Sequence, residues 1–447
     1  MKQKRTTLIR LLNALVFLLV LSNGEYNGHN LLNTWIYTIL FNQSFAKMPY
    51  NYEIIAVVLA IPVWLKAASA SRSSPLGSDL FRMTWMPALI LAGATLVAVG
   101  VGVAGGGAFR ITQWQIRSHF LYLFWPIVAF HACTSVDDAM SFLDSIAKAA
   151  VVKSCFNIYA FFVLFGGNVR AHGYEYISCH IDSLYLGTGL LTLLIKRLYL
   201  PQEGNKYWSI AGILLVAYAW VENDRRVSFL GVTFAVLFSA GFLYPYISKR
   251  HYRYIGAALG VSLLFVAATW NNPQHSIKSL FVKDPTQELD YRDIENYNMY
   301  RAIAENPVIG RGYGFPFKHY MELPNIFFSD ILSWIPHNSI LFNFAYAGSL
   351  GISALGLVIM TPLAVIIRLF HTTTVLRERI FCFLAFCIIV QTTLYYWADM
   401  AINWGQSLML PCVVTGYAAR LLLLHVKKGH NSRAIKSQIS RRLTTHG

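Results

Sequence analysis

Pro336-His337-Asn338-Ser339 stands directly ahead of a long apolar run that carries Gly348 and Gly351. Pro, Asn and Ser are ordinary helix-opening residues, either polar side chain can cap exposed N–H groups, and two small residues permit close helix packing. A histidine at such a terminus has a second reading. The free N–H donors and the positive end of the helix dipole attract an anion such as phosphate, and the same dipole disfavours imidazolium. A neutral His337 there accepts a proton from an alcohol, which is general-base work.

Two further groups of residues carry chemistry of the same kind. Arg225 and Arg226 sit in a short Asn-Asp-Arg-Arg turn between two apolar runs, where they either pair with Glu222 and Asp224 or offer guanidinium groups to phosphate oxygens. The stretch from Tyr291 to Asn306 places Ile294, Tyr297, Arg301 and Ala304 at helical spacing. It therefore reads as an amphipathic helix carrying Arg292 and stopped at Pro307. Gly310-Arg311-Gly312-Tyr313-Gly314 follows. No strand and βαβ unit precede this glycine run, so it reads as a tight turn placing Arg311 near a membrane rather than as a nucleotide loop.

The elements that must position these residues are apolar. Hydrophobic residues make up 55% of the 447 positions and charged residues 13%, too few charges to solvate a soluble globule of this size. Runs of about 20 residues, enough for a helix to cross a ~30 Å hydrocarbon core, recur along the chain. They fall at 8–22, 52–69, 83–105, 118–134, 147–166, 180–196, 207–222, 227–247, 253–269, 339–367, 380–398 and 405–424. The expected fold is an all-α polytopic membrane protein of about twelve transmembrane helices. Residues 31–41 are apolar but short and read as a re-entrant piece. No inverted internal repeat is evident.

Orientation follows from the Lys and Arg beside the spans. With the N-terminus inside, Lys66/Arg72/Arg82, Lys148/Lys153, Lys196/Arg197/Lys206, Lys249/Arg250/Arg253 and Arg368/Arg377/Arg379 fall on the cytoplasmic side together with the tail. The expected organisation is spans one to nine over 1–269, a large periplasmic loop over 270–338 before the tenth span, spans ten to twelve over 339–424, and a basic cytoplasmic tail over 425–447. His337, Arg292, Arg311 and the Arg225-Arg226 turn then share the outer face. The net charge of +16 is a topology signal, because no folded basic domain for nucleic acid is visible. Cys133, Cys155, Cys179, Cys382, Cys387 and Cys412 form neither a CxxC nor a Cys/His ligand spacing, so no disulfide framework and no metal site is expected. Met1-Lys-Gln-Lys-Arg followed by apolar residues lacks a small-x-small cleavage site and reads as an uncleaved first span.

His337-Asn338, nine residues, Gly348, two residues, Gly351 resembles the signature of bacterial O-antigen ligases. That signature is a His-Asn/Ser/Gln pair followed at fixed spacing by two small residues. Arg292 with a helix running to Pro307-Val-Ile-Gly-Arg-Gly-Tyr-Gly is similar to the Arg-to-glycine-rich segment of the same O-antigen ligase/polymerase superfamily. The Arg225-Arg226 turn resembles its external Ser-Arg or Thr-Arg turn, although Asn-Asp-Arg-Arg departs from that pattern. The likeness covers about residues 210–370, and the N-terminal half is similar only in hydropathy.

The resemblance implies a glycosyltransferase-C-like enzyme of the bacterial inner membrane, metal-independent, inverting and without a cofactor. It would move a glycan from undecaprenyl diphosphate to an acceptor hydroxyl of lipid A-core at the periplasmic face, among membrane lipids. It implies His337 as the base, Arg225, Arg226, Arg292 and Arg311 as the diphosphate grip, and Asn338, Gly348 and Gly351 as structural motif residues. A group of arginines can stabilise the leaving diphosphate without a metal ion. A polymerase or a protein O-glycosyltransferase of the same superfamily shares all of these residues. A polysaccharide transporter or flippase is the reading of a different class, and requires ionisable residues along a mid-membrane path.

Overall fold

The computed structural model describes the backbone of residues 2–22, 51–70, 75–172, 177–223, 226–246, 291–322, 334–399 and 405–444, apart from positions 173–176, 180 and 317 and with a few isolated residues between. Among the described residues the chain is helical, with no strand. The helices are α1 (Lys2–Leu21), α2 (Asn51–Ala70), α3 (Pro75–Ala104), α4 (Phe109–Ile116), α5 (Leu121–Ala132), α6 (Val136–Tyr159), α7 (Asp182–Tyr199), α8 (Lys206–Glu222), α9 (Arg226–Leu243), α10 (Tyr291–Glu305), α11 (Ser339–Thr372), α12 (Leu376–Ala398) and α13 (Gly405–Thr444). Helices occupy every expected span position except 253–269, most of which lies outside the described residues together with most of 31–41. Among the described residues, five segments are long and apolar enough to cross a membrane: Trp85–Ala104, Val136–Leu164, Ser339–Thr372, Leu376–Ala398 and Ser407–Val426.

The helices pack as a bundle in which α5 lies on α13, α3 on α11, α1 on α6 and α9 on α12. Close approach is visible at Gly416 of α13, where an added Cβ would lie 2.3 Å from the Pro126 carbonyl oxygen of α5. Only a residue without a side chain allows those backbones to meet.

Three local readings of the sequence are corrected. The segment expected to start near 147 begins at Val136, because the Asp138 carboxylate accepts the backbone N–H groups of Thr134 (2.7 Å) and Ser135 (3.1 Å) and so starts the helix a few turns earlier. Lys153 does not mark a cytoplasmic face. It is fully buried, 2.5 Å from the Asp182 carboxylate, and donates to the carbonyl oxygens of Val20 (2.8 Å) and Ser22 (3.0 Å) at the C-terminal end of α1. All three ammonium hydrogens therefore have acceptors, which is the condition for holding a charge in a packed interior. The inward face of α10 is Ile294, Glu295, Asn298, Met299 and Ala302, while Tyr297, Arg301 and Ala304 face outward. Two polar anchors set that rotation. Asn298 accepts from the backbone N–H groups of Tyr320 and Met321 (both 2.9 Å) and donates to the Met321 carbonyl (3.0 Å), and Glu295 reaches His337.

The longest apolar helix is broken. At Gly348 the backbone of α11 turns to φ 64°, ψ −161°, a conformation essentially confined to glycine. The break removes the helical bonds that Ser349 and Leu350 would donate to Ala345 and Tyr346. Their replacements come from the glycine run. Arg311 N–H donates to Ala345 O and Gly312 N–H to Tyr346 O, each at 2.9 Å, and Ser349 N–H turns to Pro307 O at 2.8 Å. Gly310, Gly312 and Gly314 all have positive φ, and Tyr313 N–H donates to Ala98 O of α3 (3.1 Å). The expected external turn is thus a segment docked between α3 and the break in α11.

Candidate functional site

His337 lies at the mouth of α11. The helix begins because Asn338 adopts an extended backbone and its side-chain oxygen accepts from the N–H groups of Ile340 (3.1 Å) and Leu341 (3.0 Å). Those two donors are occupied by the cap, so they are not open to a phosphate.

The imidazole is held from α10. Its Nδ1 lies 2.9 Å from Glu295 Oε2, and the same oxygen accepts the His337 backbone N–H at 3.3 Å. Glu295 is 2% exposed, whereas the His337 side chain is 22% exposed. Tyr291, one turn before Glu295, sets its ring edge-on to the imidazole, with centroids 5.7 Å apart and planes at 85°. Burial, and next the Glu295 carboxylate, push the Tyr291 hydroxyl above its ordinary pKa, so it stays protonated at neutral pH.

Arg292 leaves α10 beside this pair and donates from Nη1 to the Ala398 carbonyl oxygen at the end of α12 (3.1 Å). Ser339 Oγ donates to the Asp399 carbonyl at the same place (2.9 Å). The end of α12 therefore receives both α10, through Arg292, and the start of α11, two residues after His337. Glu295, one turn from Arg292, is spent on His337. Among the described residues Arg292 makes no ion pair, and one of its five N–H donors is committed to a carbonyl.

Arg311 is placed elsewhere. Its backbone is bonded to Ala345, about two turns into α11, which is about 12 Å along the helix axis from His337. Its guanidinium donates to the Pro316 carbonyl (3.1 Å) and lies 5.0 Å over the Phe315 ring. Gly348 is the break itself. At Gly351 an added Cβ would meet the Ala347 Cβ at 2.3 Å, so the second motif glycine gives the bent helix clearance.

Arg226 opens α9, while Arg225 and the Arg226 side chain lie outside the described residues. The approach to that turn is described and densely bonded. Buried Asn223 accepts from Ser178 N–H (3.1 Å) and Oγ (3.2 Å) and donates to Cys179 O (3.2 Å) and Ser183 Oγ (2.7 Å). Asp182 accepts from Cys179 N–H (3.1 Å) and meets Lys153. The turn is thereby tied through the interior to α1, α6 and α7.

Sequence reasoning missed Glu295, Tyr291 and Gln115. Fully buried Gln115 of α4 donates to Phe315 O and Trp334 O, both at 2.9 Å, and accepts from Gly314 N–H at 2.8 Å. It joins the glycine segment to the strand of chain that delivers His337. One signal for Glu295 was present: it lies one turn after Tyr291 and so on the same helix face. Nothing in the spacing points to a histidine 42 residues later. Among the described residues no three His, Cys, Asp or Glu side chains converge as a metal site would require. No protein-family model matches the chain, and no curated protein matches it.

Proposed function

We propose that this chain is a membrane glycosyltransferase of the O-antigen ligase/polymerase kind, with about twelve spans and its site at the periplasmic face of the inner membrane. It moves a glycan from undecaprenyl diphosphate to a hydroxyl of lipid A-core. The observation that carries this reading is the placement of His337. A partly exposed imidazole stands at the start of α11, seated against α10, and Arg292 of that same helix reaches the end of α12 beside it.

In the reaction the acceptor oxygen attacks the anomeric carbon as the bond from that carbon to the diphosphate oxygen breaks. The hydroxyl proton passes to His337, and polyprenyl diphosphate leaves with the bonding pair. Configuration inverts because attack and departure are on opposite faces. Arg292, with Arg225 and Arg226, stabilises the charge developing on the diphosphate, a task for pre-placed charged donors; Arg311, held on the Pro316 carbonyl and over Phe315, is left out of that grip. Purified protein reconstituted with lipid-linked glycan and lipid A-core in EDTA transfers the glycan and releases polyprenyl diphosphate. Full dependence on added magnesium or manganese overturns the metal-independent form. In cells, loss of the gene leaves polymerised lipid-linked glycan unattached to lipid A-core. Single repeat units attached instead would make the chain a polymerase.

Arg292 tests the grip. A bidentate fork and a point charge are not equivalent at a phosphate, and each charge-assisted hydrogen bond is worth roughly 1.5–3 kcal/mol. Arg292→Lys is expected to cost about ten- to a hundredfold in activity, and Arg292→Ala more. If the side chain serves only to bond Ala398, both substitutions leave the rate of properly inserted protein nearly unchanged.

The topology is tested by thiol labelling in a variant without the native cysteines. Asp224→Cys and Asp290→Cys react with a membrane-impermeant reagent added outside, and His251→Cys does not. The reverse pattern places the site on the cytoplasmic side and removes its access to a periplasmic acceptor.

A further inference from the structure

We infer that Glu295 is the positioning residue of this reaction: its buried carboxylate keeps the histidine proton on Nδ1 and leaves the Nε2 lone pair of His337 to take the proton of the acceptor hydroxyl. The inference rests on the function proposed above and adds to it a residue that the resemblance did not supply.

The geometry fits this assignment of the proton. An ionised carboxylate only accepts, so the nitrogen 2.9 Å from Glu295 Oε2 must be the one that carries hydrogen. In neutral imidazole the other nitrogen is then the acceptor. The same Oε2 takes the His337 backbone N–H, so the ring and the chain that bears it are fixed by one oxygen. Competing donors are removed locally, because Asn338 rather than Glu295 caps the amides of Ile340 and Leu341. The edge of the Tyr291 ring lies against the imidazole from the same helix face. The second carboxylate oxygen, Oε1, is buried, and the Tyr291 hydroxyl is the donor beside the carboxylate. A carboxylate kept out of water beside a base gains most when that base becomes positive, which is the state reached as the acceptor loses its proton.

A merely structural role is the competing account, in which Glu295 staples α10 to the mouth of α11. Glu295→Gln separates the two, because an amide oxygen can keep both hydrogen bonds while the charge is lost. The expected result in purified, reconstituted protein is a fall in kcat of about 10²-fold, with the KM for the lipid-linked donor and the melting temperature unchanged. Glu295→Ala is the second variant: added formate restores part of its kcat, and sodium chloride at the same concentration does not.

A kcat for E295Q within twofold of the parent overturns the inference. So does a loss of kcat matched by a lowered melting temperature, an absence of formate rescue, or failure of both variants to fold, each of which assigns Glu295 to the staple. His337→Ala separates the inference from the reading beneath it. Full activity in that variant removes the proposed function itself, whereas an inactive His337→Ala beside a fully active E295Q removes Glu295 alone.

Discussion

Replacing His337 with asparagine is expected to lower the rate of glycan transfer by about 10²–10⁴-fold, the usual contribution of a general base, while the protein still inserts and folds. Asparagine is the informative substitution here because its side-chain amide can still donate toward Glu295, as the imidazole does across 2.9 Å. The packing partner is kept and the proton acceptor is lost. His337→Ala removes both and leaves the 2%-exposed carboxylate with only the backbone N–H as a donor, so it carries an added stability cost. Transfer assayed with purified variants checks the prediction, alongside their elution and melting. Near-parental turnover in His337→Asn would sink the assignment of the base.

The second large effect is expected at the break in α11. Gly348→Ala forces a side chain into φ 64°, ψ −161° and sets its Cβ 2.2 Å from the Val308 carbonyl oxygen. Backbone strain of this kind costs on the order of 1–3 kcal/mol by itself, and the clash with an immovable carbonyl adds to it. The bonds from Arg311, Gly312 and Ser349 that replace the missing helical ones then cannot all form. The variant is expected to lose several degrees to tens of degrees of melting temperature, or to fail to accumulate in the membrane. Gly356→Ala, in the same helix with nothing within 4 Å of its added Cβ, is the control and should melt as the parent does or slightly higher. Equal behaviour of the two variants would mean that the break carries no strain.

The helices were legible because a lipid-facing segment must satisfy its own backbone and be apolar over a fixed length, and both conditions are local. The apolar runs accordingly mark α11, α12 and α13 to within a few residues at their starts. His337, Asn338, Gly348 and Gly351 were legible as a group because they share one helix start and one helix. What joins them to the rest was not. Glu295 meets His337 across 42 positions, Gln115 meets Trp334 across 219, and Lys153 reaches back 133 to Val20. Such pairings are chosen by the packing of whole helices, and no short window of sequence contains them. The rotation of α10 was misread for a related reason. Periodicity counts apolar residues, and this helix is turned inward by the hydrogen bonds of Glu295 and Asn298.

The docked glycine segment also bears on motion. It is the direct continuation of α10, and its amides complete the backbone bonding of α11, so the helix carrying Arg292 and the helix carrying His337 are joined covalently at one point and by a ladder at another. Swinging one away from the other would leave Ala345 and Tyr346 with carbonyls that no water can solvate in an apolar surrounding, a penalty of several kcal/mol. Hinge closure between these two walls is therefore suppressed, and the distance from Arg292 to His337 is set before any substrate arrives. On the function proposed above, turnover is then gated by the comings and goings of the lipid carrier and the acceptor around a fixed anvil.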